Sequence, residues 1–289
     1  MRVLVTGANG FVGRRFLETN AGGHELVALA RGSGPALPDV EWIEHDLTEP
    51  LAAARLPERI DAVVHLAQSR RYREFPEGAR DVFEVNTRST FELLEYARRA
   101  GARSFVFAST GGVYAPRRKP LVETDPVEPS SFYFGSKYAG ELLVGSYGEF
   151  FSTVILRPFA VYGPGQERTL VPTLIERMAS GETVTVQGDP GLRINPIYVD
   201  DAVSVVESAL GFSGSGVFNV AGAEAVTVTE LVELMGDVAG FQPVVEHTDA
   251  KSGDLVGDNT RMREELGVVP QVSLREGLSR TVGSRLPAA

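Results

Sequence analysis

The 289-residue chain contains no cysteine, which excludes disulfides, thiolate zinc sites, iron–sulfur clusters and a cysteine nucleophile. Its four histidines are scattered without metal-ligand spacing, so no zinc site is expected. No apolar run approaches the ~18 residues of a membrane-spanning helix. The N-terminus passes from Met1 and Arg2 straight into a strand and a glycine loop. Positive charge is short: 28 Lys plus Arg stand against 38 Asp plus Glu, a net charge of −10. Such a surface repels nucleic-acid phosphate and anionic lipid. Internal repeats and low-complexity segments are missing too. The expectation is a cytoplasmic globular protein with neither nucleic acid nor membrane as partner, in which any bound anion is held by local donors. The 43% hydrophobic content is enough for an extended core.

In the first half, short apolar runs alternate with helical patterns. Val3-Leu4-Val5, Glu25 to Ala30, Ala62 to Ala67 and Ser104 to Ala108 read as strands; Gly13 to Asn20 and Arg80 to Ala100 read as helices. Buried Val/Leu/Phe runs separated by helices predict a doubly wound α/β domain with a parallel sheet covered on both faces. A second long helix is expected from Ser136 to about Tyr147, then a strand from Thr153 to Leu156 and the turn Tyr162-Gly163-Pro164-Gly165. Beyond it come helix Val171 to Ala179, strand Thr183 to Val186, a helix after Asp200-Asp201, strand Val217 to Val220 and helix Thr229 to Ala239. The division expected is a domain over 1–163 and a smaller, partly interleaved α/β substrate lobe over 164–289.

Thr6-Gly7-Ala8-Asn9-Gly10-Phe11-Val12-Gly13 follows the first strand and opens the first helix. Three glycines let the backbone turn tightly and approach a pyrophosphate, which then meets the free N–H groups and positive end of the helix. The expectation is a dinucleotide-binding loop at the start of a Rossmann sheet, against an ordinary glycine-rich strand-to-helix turn. At the end of the second strand an acidic residue would hold the ribose hydroxyls of NAD, whereas an arginine suits the 2′-phosphate of NADP. Ala30-Arg31 stands there, so Arg31 tilts the expectation toward NADP. Asp46, after Trp42-Ile43-Glu44, reads either as an acceptor for the adenine amino group or as a loop cap.

Tyr133-Phe134-Gly135-Ser136-Lys137 puts a phenol and an amine on one helical face. An ammonium beside a phenol favours the phenolate and brings its pKa toward working pH, so Tyr133 can exchange a proton with a substrate hydroxyl or ketone. Ser109-Thr110-Gly111-Gly112 ends the strand Phe105 to Ala108, at the carboxyl edge where open α/β sheets bind ligands. A hydroxyl there, Thr110 before Ser109, can share the charge on the reacting oxygen.

With these motifs the chain resembles the extended short-chain dehydrogenase/reductases of the NAD-dependent epimerase/dehydratase family. Further matches are Asp61-Ala62-Val63-Val64-His65-Leu66-Ala67, Val85-Asn86-Thr87, Leu156-Arg157-Pro158, Val161 to Gly165, Val199-Asp200-Asp201 and the stretch from Asn259 to Val282. The resemblance implies Thr110, Tyr133 and Lys137 as catalytic residues. It places Leu47, Leu66, Ala67 and Asn86, with Tyr133 and Lys137, near an NAD or NADP cofactor, and it implies a homodimer through the two long helices.

Departures from the family pattern matter. Family dehydratases carry Asp-Glu after the catalytic Thr; Gly111-Gly112 cannot move a proton, which argues against dehydration. Ala160 stands where many nucleotide-sugar members have Asn. Arg193 matches an arginine that holds the nucleotide phosphate, although Asn195 replaces the usual Asp. Ser109, Arg168 and Arg193 are the candidate substrate contacts, against surface ion pairs. Arg70-Arg71-Tyr72-Arg73 reads as a solvated face or as a site for an anionic substrate, and Asp200-Asp201 as helix N-caps rather than metal ligands. The expected activity is a hydride transfer at a secondary carbon, foremost as a 4-epimerase of a nucleotide sugar. An NADPH-dependent 4-ketoreductase is the alternative, and a non-catalytic cofactor-sensing protein is the reading from another class.

Overall fold

Alternating Val and Leu make residues 2–6 a strand, and zero exposure at Val3, Leu4 and Val5 places it mid-sheet. A computed structural model describes residues 1–285, apart from 33, 36, 38, 54 and 252. Seven strands form the main sheet: β1 (Arg2–Thr6), β2 (Glu25–Ala30), β3 (Val40–Glu44), β4 (Ala62–His65), β5 (Ser104–Ala108), β6 (Ser152–Pro158) and β7 (Ser215–Val220). Their order is β7-β6-β5-β4-β1-β2-β3. The order reverses at β1, the switch point where doubly wound sheets bind ligands at the carboxyl strand ends. Val3 pairs with Leu26 on one side and Ala62 on the other, both parallel. At the far edge, Thr153 N–H to Gly214 and Phe159 N–H to Val220 advance together, so β7 is parallel to β6 as well.

Helices α1 (Phe11–Asn20), α2 (Ala79–Phe83), α3 (Ser89–Ala100) and α4 (Phe132–Gly145) cover the sheet; a π-helical turn, Glu84–Arg88, joins α2 to α3. Leu93, Leu94 and Ala97 of α3 and Val144 of α4 join Phe105, Phe107 and Ile155 in the core. Each fully buried Leu or Phe contributes about 1.5–3 kcal/mol. Two of these helix starts differ from the sequence reading by more than one residue. α1 begins at Phe11 rather than Gly13, so Gly13 lies inside the helix, where a Cβ would meet the Gly7 carbonyl oxygen at 2.2 Å. α4 begins at Phe132 rather than Ser136 because Ser131 caps it, accepting from the Phe134 N–H. Tyr133 thereby lies in the first turn of α4 and Lys137 one turn later.

The chain divides into two compact units. The first comprises Met1–Val113, Val127–Arg157 and Val203–Phe218; the second comprises Tyr114–Pro126, Pro158–Ala202 and Asn219–Ala289. Within the second, α5 (Leu170–Ala179), α7 (Val228–Ala239), α8 (Thr260–Glu265) and α9 (Leu274–Gly283) accompany short strands of two to four residues; α6 (Val199–Leu210) begins in this unit. A capping box between Thr227 and Glu230 starts α7. Asp200 and Asp201 are not N-caps, because α6 already begins at Val199. Asp201 is buried and accepts the N–H groups of Gln271 (2.9 Å) and Val272 (3.1 Å), tying a loop to the helix start. No group of metal-binding side chains occurs among the described residues. No helix among them is long and apolar enough to cross a membrane.

Candidate active site

At the carboxyl end of β1 the chain turns at Gly7 with φ +68°, a conformation that costs a side chain energy. A Cβ on Gly7 would lie 2.7 Å from the Ala67 nitrogen and 2.8 Å from the Leu66 carbonyl carbon. Leu66 and Ala67 therefore leave the sheet line directly after β4, pressed against the loop. Gly10 and Gly13 are confined by the Gly7 carbonyl oxygen, so all three glycines are required by the loop's own packing. Gly10 gives α1 no side-chain cap, and its first turn holds no acidic residue. The first-turn N–H groups of Phe11, Val12 and Gly13 are thus left for an anion or solvent. Asn9 Nδ2 reaches the Gly32 carbonyl at 3.5 Å, joining the loop to the segment after β2.

Arg31 is exposed at the end of β2. Asp46 Oδ1 accepts the Thr48 N–H at 2.9 Å, a loop-cap geometry, and Leu47 beside it is buried. Behind the loop, His65 is fully buried between Thr6 (2.6 Å to Nδ1) and Thr90 (3.0 Å to Nε2). Thr90 donates to the Asn86 carbonyl, so its oxygen accepts from His65 Nε2–H and Nδ1 accepts from Thr6. Burial, and the charge of Lys137, hold His65 well below its ordinary pKa and in this neutral tautomer.

Asn86 sits fully buried in the π turn, a helix defect that often marks functional positions. Its Oδ1 accepts the Ser69 N–H and its Nδ2 donates to Ser136 Oγ, both at 2.9 Å. Asn86 thereby couples the loop after β4 to the first turns of α4. On α4, Gly140 lets the helix settle on β5: a Cβ there would stand 2.6 Å from Phe107 Cζ. That approach buries Lys137 to 1% exposure, with Nζ 4.7 Å from the centre of the Phe107 ring. Lys137 Nζ makes no hydrogen bond to a described residue. Burial brings its pKa down to about 7, partly opposed by the charge of Glu141.

Tyr133 is half-buried. Its hydroxyl donates to Gln68 Oε1 at 2.6 Å, and its ring lies 5.0 Å from that of Tyr72. The electrostatics differ from the sequence expectation. Burial first, and Tyr72 second, push the phenol above its ordinary value, so Tyr133 stands as a neutral donor rather than a phenolate favoured by Lys137. Thr110 Oγ1 accepts the Gly112 N–H at 3.1 Å, which leaves its own O–H available as a donor. Gly112 packs against Phe134, where a Cβ would stand 2.1 Å from Cε1, so the Thr110 turn and the first turn of α4 are in contact. Ser109 is not directed into this set: its hydroxyl donates to Glu141, which is paired with Arg157.

The model of the NAD dependent epimerase/dehydratase family matches residues 3–221. The chain belongs to this family. A family relative, the UDP-glucose 4-epimerase of Mycolicibacterium smegmatis, is 33% identical over 98% of this chain and 97% of its own. The dTDP-glucose 4,6-dehydratase of Streptomyces griseus is 30% identical over 97% and 92%. Among solved structures, a Thermus thermophilus UDP-glucose 4-epimerase complex with NAD superposes with TM-score 0.85 at 30% identity, covering 98% of both chains. Family membership brings with it the Rossmann sheet and NAD-dependent relatives that act on nucleotide sugars.

Arg168 and Arg193 lie in the second unit, both exposed, and Arg193 makes no ion pair with a described residue. Arg168 adopts φ +55°. Asn195 is buried: Nδ2 donates to the carbonyls of Gly222 (3.3 Å) and Gly257 (2.8 Å) while Oδ1 accepts the Gly257 N–H (2.9 Å). Sequence reasoning missed Gln68, Tyr72 and the bridging role of Asn86. Of these, only Tyr72 carried a signal, as the aromatic inside the arginine run. That run is only partly a solvated face: Arg71 pairs with Glu74, while Arg73 lies over the Tyr72 ring at 5.3 Å.

Proposed function

We propose that the protein transfers a hydride at C4 of a nucleotide-linked sugar and that its net reaction is 4-epimerisation. The observation that carries this is Lys137: a buried ammonium without a hydrogen-bond partner among the described residues, one helical turn from Tyr133 and against the β5 whose end presents Thr110. A buried, unpaired ammonium is costly to the fold, and cofactor ribose hydroxyls supply the acceptors that it lacks. The glycine loop of residues 7–13, whose packing leaves the α1 N-terminus open, fits the pyrophosphate. Leu47, Leu66, Ala67 and Asn86 line the same strand ends, and Arg31 and Asp46 stand at the ribose and adenine end.

A nicotinamide cofactor held there would supply a reversible hydride acceptor for the sugar carbon. Tyr133 exchanges its bond to Gln68 for one to O4; its phenol must first give up its proton to solvent, then accepts the O4 proton as hydride leaves and returns that proton to the ketone oxygen when hydride comes back. Thr110 donates to the same oxygen. Lys137, titrating near neutral pH, would hold the cofactor ribose, and its positive charge one helical turn away favours the phenolate that this step needs. In this reading Gly111 and Gly112 supply no acid or base for water elimination, and Phe134 fills the space where a Glu side chain would start, which argues against dehydration. Arg193 and Arg168 of the second unit are the proposed contacts for the substrate's anionic part. Two copies pair through the α2–α3 and α4 surfaces, which expose Phe83, Phe91 and Leu142.

Arg31 favours a second reading, an NADPH-dependent 4-ketoreductase. The deciding experiment incubates the purified protein with UDP-glucose and UDP-galactose without added cofactor, and follows both sugars and bound nicotinamide. Interconversion with cofactor that survives gel filtration supports the epimerase. Turnover of a 4-keto sugar only when NADPH is supplied, with one NADPH consumed per product, replaces it with the reductase.

A further inference from the structure

A deeply buried ion pair among the described residues of the first unit has no place in the mechanism above. Glu141 and Arg157 are 4% and 5% exposed, and the guanidinium grips the carboxylate with Nε at 3.0 and 3.2 Å and a terminal nitrogen at 2.6 Å. Ser109 Oγ donates to the same carboxylate. The three side chains come from α4, β6 and the end of β5. A buried pair of this kind is seldom kept for stability alone, because apolar side chains of similar volume serve as well or better. Its neighbours are suggestive. Glu141 is one helical turn beyond Lys137 on the same buried face, and Ser109 immediately precedes Thr110. A single carboxylate is therefore tied to the segments that carry two of the three proposed catalytic side chains.

We propose that Glu141, clamped by Arg157 and Ser109, is a positioning residue that keeps Lys137 cationic and fixes the Thr110 strand end against α4. The charged and titratable groups facing Lys137 support this division of labour. His65 on β4 feels the Lys137 charge and is neutral, as its hydrogen bonds require; β5 contributes the Phe107 ring; one turn back on α4, Tyr133 is a neutral donor. Glu141 is the negative charge among these described groups, and Arg157 on β6 compensates it from behind. Arg157 therefore decides how much of the Glu141 charge Lys137 feels. The inference rests on reading Lys137 as catalytic, but its test is independent of any reaction.

The chain has three lysines, Lys119, Lys137 and Lys251, so isotope-labelled lysine yields a spectrum in which each ammonium titrates separately by NMR. Lys119 is exposed and paired with Asp125, and Lys251 is exposed, which leaves Lys137 as the buried signal. In Glu141→Gln the Lys137 midpoint is expected to fall by about one pH unit, and in Arg157→Met to rise by a similar amount. The pH at which kcat changes is expected to move in the same two directions. Unchanged midpoints, or two variants that shift the same way, overturn the proposal, because a purely structural pair would lower stability without opposite shifts. Should either single variant fail to fold, the double variant Glu141→Leu with Arg157→Met leaves no buried charge unpaired. Its Lys137 midpoint is expected below that of the wild type, and an unchanged one overturns the proposal. Midpoints that move while the rate profile stays fixed would overturn the catalytic reading of Lys137 instead.

Discussion

Replacing Lys137 by methionine is expected to stabilise the protein while destroying the activity. Burial lowers the Lys137 pKa from 10.5 to about 7. At pH values between these two, the unfolded chain binds a proton that the folded chain does not. Stability therefore rises with pH across this window; it is fully present above 10.5 and is lost as the pH falls through about 7. At ~1.36 kcal/mol per pH unit, the buried ammonium costs about 5 kcal/mol at and below neutral pH. Methionine fills similar space and keeps a contact with the Phe107 ring, but the change forfeits a cation–π interaction of about 1–2 kcal/mol. The net gain is about 3 kcal/mol near pH 6, and it disappears by about pH 10. Urea unfolding of both proteins at the two pH values measures this, and carboxylates or tyrosines that titrate in both cancel in the difference. A variant that is less stable than wild type by the same amount at both pH values would refute the reasoning.

Three further outcomes follow from particular contacts. Gly112→Glu, which restores the second acid of the dehydratase pattern, is expected to cost about 1–3 kcal/mol through its clash with Phe134 and to form no 4-keto-6-deoxy product; accumulation of that product by mass spectrometry would contradict the account. Asn195→Asp loses both donations to Gly222 and Gly257 and sets a carboxylate against carbonyl oxygens, so it should cost about 3 kcal/mol in denaturant titration. Arg31→Ala is expected to weaken NADP binding about tenfold by calorimetry and to leave NAD binding unchanged; equal effects on both would remove Arg31 from the ribose site.

The glycine loop, the parallel strands and the Tyr133/Lys137 pair were legible because each is written within a few neighbouring residues. Gly7, Gly10 and Gly13 answer to one loop, and four-residue spacing places Lys137 over the same face as Tyr133. What escaped lies in contacts between distant segments. Gln68 meets Tyr133 across 65 residues of chain, and Asn86 ties Ser69 to Ser136. Burial of Tyr133 is a property of the assembled site, so the sequence argument that Lys137 lowers the phenol pKa misjudged which effect dominates. The glycines of the Thr110 turn read as a lost acid and base, yet only the packed structure supplies the reason, Phe134. Likewise Asn195 reads as a departure until its three hydrogen bonds in the second unit are seen.

The proposal turns on proton transfer by the Tyr133 hydroxyl. Turnover of a nucleotide 4-hydroxy sugar by Tyr133→Phe, with bound nicotinamide quantified on the same preparation, tests it most directly. The account predicts a loss of at least about a hundredfold in kcat with cofactor still retained. A variant that turns over within about twofold of the wild type, at equal cofactor occupancy, would contradict it.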